Sequence, residues 1–320
     1  MASFRSGSAL IMTAYQAYQP FRPSHTSELT SGFRYPALLA ARRQRAAAPT
    51  TGNSMMNKLA SIVAAALVSV CPPASSALAN DPIDTLALIK QEGVLKVGMA
   101  DSVPAQQKNP ISGEWQGFNV DMAKNLAAAL GVKLEIVDTT WSTIIPSLTQ
   151  KQFDIAMVDM FRTPARAVTV DFTDSYMTTG NTWLVGADLD VTDWKQLDDP
   201  KYTVISIAGT AAVAQSDRLL PKAQKKTIVS DNAVAGQLEV AAGRASAHLS
   251  DYLQNALFMK ANPSAKVKVL GGDAPIEATG YAYAIQPGDY HFLAFLNTWI
   301  AYNTTTGFIS DRKLTWYGIK

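Results

Sequence analysis

Cysteine is almost missing from these 320 residues. The single one, Cys71, falls at the end of an apolar run, and none follows residue 80. Structural disulfides and thiol catalysis are therefore excluded from the body of the chain. Histidine is nearly as scarce. Only His248 and His291 lie beyond residue 80, so a His-rich metal site is not expected. Neither is accompanied by a nucleophile elbow of the kind Ser-His-Asp hydrolysis uses, and no Gly-rich phosphate loop is present. No apolar run of 18 or more follows residue 80, so that region offers no membrane-spanning helix. An excess of one charge is lacking too. The overall formal charge of +2 comes from the first 79 residues, which hold seven Lys/Arg and only Glu28 as an acid. From Asn80 onward 21 basic residues face 25 acidic ones, a net charge of −4. Such a mixed surface has no electrostatic footprint for nucleic acid.

The start of the chain is unlike the rest. Residues 1–54 are rich in Ser, Ala and Arg and read as a non-native or disordered extension. They fit either a transit peptide or sequence upstream of a true start at Met55 or Met56. From there the pattern is that of a secretory signal over 55–79. Lys58 supplies the positive end, Leu59 to Val70 the apolar stretch, and Ala77-Leu78-Ala79 a small-x-small cleavage site ahead of Asn80. Lipid attachment at Cys71 is disfavoured, because Val70 precedes it.

What the sequence does have, after residue 84, is a repeated strand–helix rhythm. A short helix over Asp84–Gln91 ends at Gly93. A strand over Val94–Met99 and a polar loop over Ala100–Gly117 follow. Asn119 is a candidate N-cap for a helix with Met122, Leu126, Ala129 and Leu130 on one face, stopped by Gly131. Val132, Leu134 and Ile136 alternate with Lys133 and Glu135 as in a half-buried strand. This makes 94–137 a β-α-β unit, expected to be parallel and right-handed. A helix over 142–150 leads to a strand at Ile155. Thr182–Val185 is another strand, with a chain crossing at Gly186. The rhythm then restarts, with strands at Tyr202–Ile207, Thr227–Val229, Ala247–Ser250 and Val267–Leu270. Helices open at Gly209-Thr210, at Asp231 or Asn232, and at Tyr252. Gly280–Ile285 reads as a returning strand, and 291–303 and 309–317 as closing helices with Trp299 and Trp316 in the core. Two α/β segments of about a hundred residues each predict two lobes with a ligand cleft between them.

The stretch FDIAMVDMFRTPARAVTVDF, Phe153 to Phe172, organises the rest. Ile155–Val158 suits a buried strand, and Thr163-Pro164 opens a short helical turn with proline at its first position. Arg166 then projects over the strand's carboxyl end, where open α/β sheets bind ligands. Its guanidinium fork matches a carboxylate. The alternative is a surface pair with Asp171 or Asp174.

Three stretches, VLKVGMADSVP, WQGFNVDMAKNLAAALGVKLEIV and WSTIIPSLTQKQFDIAMVDMFRTPARAVTVDFTDSY, together resemble the family 3 extracellular solute-binding proteins, receptors for polar amino acids in ABC importers. The likeness covers 84–320. It implies a two-lobed periplasmic-binding-protein-like (type II) α/β fold with a double hinge crossing. Lobe one would comprise 84–186 plus 280–320 and lobe two 187–279. It implies a monomer outside the cytoplasmic membrane, in the periplasm, with ABC permease subunits as partners and no cofactor or metal. By the same resemblance Arg166 takes the ligand carboxylate and Asp251 the α-ammonium. Thr210 and Ala211 offer backbone N–H groups to the carboxylate, as helix N-termini favour anions. Trp141 walls the pocket or, alternatively, packs in the core.

The departures concern the same cleft. Asp159 and Phe161 stand where small or hydroxyl residues are usual, so Asp159 is expected either to pair with Arg166 or to take a cationic ligand group. Val103 stands where an aromatic often covers the ligand. A second function shares the fold: cyclohexadienyl dehydratases, which act on prephenate or arogenate and need an acid for the departing hydroxyl. That branch is read as carrying a glutamate two residues after the lobe-two Gly-Thr, where this chain has Ala212. A ligand-sensing module is the third reading. No channel or kinase segment accompanies the domain.

Overall fold

The computed structural model describes residues 84–271 and 275–319. The extension, the signal sequence with its cleavage point and Cys71 lie outside the described residues. Asp84 opens α1 (Thr85–Glu92) by accepting from the Ala87 N–H, and Gly93 closes it in the left-handed conformation. There follow β1 (Val94–Ala100), the small hairpin β2 (Gln107–Lys108) and β3 (Trp115–Gln116), α2 (Phe118–Leu130), β4 (Lys133–Thr139) and α3 (Ile144–Thr149). Next come β5 (Ile155–Phe161), α4 (Pro164–Ala167), β6 (Asp171–Phe172) and β7 (Met177–Gly186). After a single 3-10 turn, β8 (Thr203–Ile207), α5 (Ala211–Leu219), β9 (Gln224–Ile228), α6 (Ala235–Ala241), β10 (Ala247–Asp251), α7 (Tyr252–Ala261) and β11 (Val267–Leu270) follow. The chain closes with β12 (Ile276–Ile285), α8 (Tyr290–Thr305) and α9 (Phe308–Tyr317).

The strands run in the order β4-β1-β5-β12-β7-β10-β8-β9. Both ends are parallel: β4, β1 and β5 on one side, β10, β8 and β9 on the other. The antiparallel strands β7 and β12 join the two ends. β7 changes partner within its length. Asn181 faces Ile276 of β12 and also Asp251 of β10. The core divides accordingly. Residues such as Val97, Phe118, Leu126, Met157, Tyr283 and Phe292 pack together, as do Trp183, Val204, Leu220 and Leu249. This is a two-lobed α/β fold. β5 is buried at every residue, as its apolar sequence requires, whereas β9 (QKKTI) is an exposed edge strand protected by its lysines.

Two helix starts differ from expectation. α2 begins after Gly117, and Asn119 lies fully buried inside its first turn, where its amide is drawn to Gln106 and Asp159. α6 begins after Val234. Asn232 instead turns the preceding loop by accepting from the Val234 N–H. Trp299 and Trp316 pack as expected, their indole N–H groups donating to Asn125 and Asp121 of α2.

Candidate functional site

Six parallel strands, three per lobe, end at one place, and the residues just beyond those ends line a cavity of about 80 Å³. β1 delivers Asp101 and Ser102, β4 delivers Trp141, and β5 delivers Asp159, Phe161 and the α4 turn with Arg166. From the other lobe β8 delivers Thr210 and Ala211, β9 delivers Ser230 and Asn232, and β10 delivers Asp251. Ligand sites lie outside the carboxyl ends of such strands because helix N-termini and loop residues converge there.

Arg166 is half-buried. Its guanidinium donates to the Phe161 carbonyl at 3.1 Å and, across the cleft, to the Gly209 carbonyl at 2.9 Å. Burial pulls its pKa down to about 10, so it stays charged at neutral pH. It pairs with neither Asp171 nor Asp174. Asp171 accepts from the Gly288 N–H, while Asp174 faces Arg162 at 3.8 Å. The expected Asp159–Arg166 pair is absent as well, and the reason is local competition. Asp159 accepts from Asn119 Nδ2 at 2.7 Å, from the Tyr176 hydroxyl at 2.8 Å and from the Tyr317 hydroxyl at 2.8 Å. Burial still raises its pKa to about 6 against these three donors. Phe161 stacks on Tyr281 at 4.9 Å between ring centres, and so forms an apolar wall.

On the facing lobe, Asp251 ends β10 and caps α7. Its Oδ1 accepts from Leu253 and Gln254 N–H, and its Oδ2 accepts from the Thr179 hydroxyl at 2.9 Å. Burial raises its pKa. No side chain caps α5. Thr210 spends its hydroxyl on the Ile207 carbonyl at 2.7 Å, and Ala211 and Ala212 line the cavity at that helix start. Trp141 donates its indole N–H to the Asp101 carbonyl at 3.2 Å, which fixes the ring at the cavity wall. The lobes meet closely beside it. Gly209 (φ +83°) lies so near the Trp141 backbone that a Cβ there would fall 2.0 Å from the Trp141 carbonyl oxygen. Gln254 also donates across the cleft to the Ser102 hydroxyl.

The structure brings together seven of the eight expected residues: Arg166, Asp251, Trp141, Asp159, Phe161, Thr210 and Ala211. Val103 is not among the lining residues. The backbone pairing of Ser102 with Gln106 turns the chain at that point and presents Asp101 and Ser102 instead. Asp101 is the residue that sequence reasoning missed. Its Oδ1 is buried and has no hydrogen-bond partner, and burial raises the carboxyl pKa to about 7. The available signal was its position after β1, equivalent to that of Asp251 at the end of β10.

A two-lobed α/β molecule with a cleft lined by strand ends is a ligand-binding fold of the periplasmic receptor type. The chain belongs to the bacterial extracellular solute-binding proteins, family 3, whose model matches residues 95–319. Over 230 residues it is 26% identical to a cyclohexadienyl dehydratase of Pseudomonas aeruginosa, covering 71% of this chain and 84% of that one. Among solved structures it is similar to the ancestral amino acid-binding protein AncCDT-1, described as a precursor of cyclohexadienyl dehydratase. The two share 35% identity and a TM-score of 0.66 over 73% of this chain and all (100%) of the other. A binding component of an ABC transporter from Wolinella succinogenes, complexed with lysine, is 30% identical with a TM-score of 0.64, covering 70% and 96% of the respective chains.

Proposed function

We propose that this protein is a periplasmic receptor that captures an amino acid or related small carboxylate between its two lobes and presents it to the membrane subunits of an ABC importer. The observation that carries the reading is Arg166. It is a charged guanidinium at a strand end without a carboxylate partner among the described residues, and it reaches across the cleft to the start of α5. A ligand carboxylate would replace the Gly209 carbonyl as acceptor and meet the Ala211 and Ala212 end of the helix, where an anion is favoured. Asp251, which faces only neutral donors, would take the α-ammonium. With lobe one taken as 84–186 plus 280–320 and lobe two as 187–279, these contacts come from opposite sides. They exist together only when the lobes are closed, so ligand shifts the equilibrium toward closure. The relatives support an amino acid as cargo, because one is complexed with lysine and another is described as amino acid-binding.

A dehydratase is the second reading, favoured by the similarity to the Pseudomonas enzyme. Asp159, the acid the sequence offers for such a role, accepts three hydrogen bonds, and Ala212 supplies no acid at the lobe-two helix, so the role would fall to Asp101 at the same cavity. A thermal-shift screen of amino acids, amines and aromatic carboxylates tests the receptor reading. At a hundredfold excess over Kd a ligand adds about 2.7 kcal/mol of stability. Turnover of prephenate to phenylpyruvate would overturn it in favour of the enzyme.

A further inference from the structure

The two strands that join the ends of the sheet, β7 and β12, are not paired evenly. Tyr281, Gly280 and Thr279 of β12 face Met177, Thr178 and Thr179 in regular antiparallel register, but Ile276 faces Asn181. From Thr279 to Ile276 β12 therefore takes three steps while β7 takes two, which places a bulge at Glu277 and Ala278. Glu277 has φ +52° there, a left-handed conformation that residues other than glycine and asparagine rarely adopt. Gly180 of β7 provides the seat for the bulge. A Cβ on it would lie 2.8 Å from Pro275 Cβ and 3.0 Å from the Ile276 carbonyl oxygen. The side chains that hold the bend come from α5. Glu277 accepts from the Arg218 guanidinium and, at 3.1 Å, from Gln215 Nε2. Gln215 Oε1 in turn accepts from Asn181 Nδ2. Asn181 is buried, lines the inner cavity and stands where β7 changes partner from β12 to β10. The Arg218 pairing also holds the Glu277 carboxyl below the usual range, so it stays ionised at neutral pH. One helix thus has its start, at Ala211 and Ala212, in the cavity wall and its second half bonded to both joining strands.

We propose that Glu277 is a positioning residue for ligand capture: with Arg218 and Gln215 it clamps the bulged strand to α5, and so couples the helix start in the cavity wall to the hinge about which the lobes close. None of the three touches the cavity, so the clamp acts through geometry alone. An exposed ion pair contributes little to global stability. Here it fixes a strained backbone at the pivot, and a small change in pivot geometry is magnified at the far side of the cleft. With the clamp cut, the bulge relaxes, the strands no longer move with α5, and the closed arrangement with Arg166 on the Gly209 carbonyl and Gln254 on Ser102 is populated less. The link to ligand rests on the receptor reading, whereas the effect on the ligand-free molecule does not.

The test compares the intact protein with Arg218→Ala, Glu277→Ala, the double variant and Glu277→Gly. Arg218 and Glu277 are both exposed, so these changes leave the core intact. In small-angle scattering without ligand, each variant should show a larger radius of gyration than the wild type. In calorimetry with L-lysine, the amino acid complexed with one of the similar structures, each single variant should bind about three- to tenfold more weakly at 50 mM NaCl. The double variant should lose no more than either single one, because both remove the same contact. At 1 M NaCl, where the Debye length falls to about 3 Å, the gap between wild type and variants should narrow. Glu277→Gly frees the left-handed backbone, yet it should weaken binding as much as Glu277→Ala, which separates a clamp from mere strain. Unchanged radius and affinity in Arg218→Ala and Glu277→Ala would overturn the inference, as would losses that add or that ignore salt. Failure of the wild type to bind L-lysine would count against the receptor reading, and the ligand-free scattering would still decide the clamp.

Discussion

The floor of the cleft and its mouth each hold an aspartate from a lobe-one strand end, Asp159 buried and Asp101 half-buried, and the two are treated in opposite ways. At the floor, Asp159 is saturated by Asn119, Tyr176 and Tyr317, and Asn119 is itself held by the Tyr283 hydroxyl at 2.8 Å. This network ties α2, β12 and α9 together beneath the cavity. At the mouth, Asp101 keeps one oxygen without a partner. A buried polar group with all its partners is part of the framework, whereas one that lacks them beside a cavity is available to a ligand. The contrast separates two carboxylates that a sequence presents alike.

The strongest way to break the comparison is Asp159→Ala. It strands three buried donors, each costing about 1–3 kcal/mol, and urea unfolding should show a loss of about 3 kcal/mol or more. A loss below about 1 kcal/mol would remove the floor from the framework. Next in size is Gly209→Ala. The added methyl meets the Trp141 carbonyl, and both atoms belong to the main chain, so the lobes must part. Ligand affinity should drop by about tenfold or more, about 1.4 kcal/mol. Small-angle scattering should show that saturating ligand no longer compacts the variant as it does the wild type.

Asp101→Asn should change stability least, by under about 1 kcal/mol at pH 7 and toward greater stability, because it removes an ionised group with an unsatisfied buried oxygen. Its signature is in pH dependence. Asp101 has its pKa raised to about 7 and Asp159 to about 6, both above the ordinary carboxylate value, so the folded protein holds protons that the unfolded chain has released. These two carboxyls therefore contribute stability that is lost as pH rises from about 4 toward 7, while His248, whose pKa burial lowers to about 4, contributes in the opposite sense below about 6.5. Across that range the urea midpoint should shift toward lower values with rising pH more in the wild type than in Asp101→Asn, the difference being the contribution of Asp101. Identical slopes would refute the assignment of the upper part to Asp101.

Much of this arrangement was legible because it is local. An apolar run followed by Thr-Pro predicted β5 and α4, and Arg166 follows from them. Strand ends likewise placed Asp251 and the Thr210 helix start. Asp101 obeys the same rule, but the Ser102–Gln106 turn that presents it leaves no periodic trace, and Val103 stood in its place. The Asp159 network was not legible at all. Its donors lie 40, 17 and 158 residues away, and only the assembled sheet brings them together. For the same reason Asn119 looked like a cap: its local chemistry suits one, but its long-range partners claim its side chain.

The receptor account hangs most directly on Arg166, and a binding cycle addresses it. L-lysine and its decarboxylated counterpart cadaverine would be titrated calorimetrically into wild type and Arg166→Ala. Charge-assisted hydrogen bonds contribute about 1.5–3 kcal/mol each, so deleting either the carboxylate or the guanidinium should cost at least about tenfold in affinity. Deleting both should cost little more than deleting one, because each loss removes the same contact. Losses that simply add, or an Arg166→Ala variant that binds lysine as tightly as the wild type, would contradict the account.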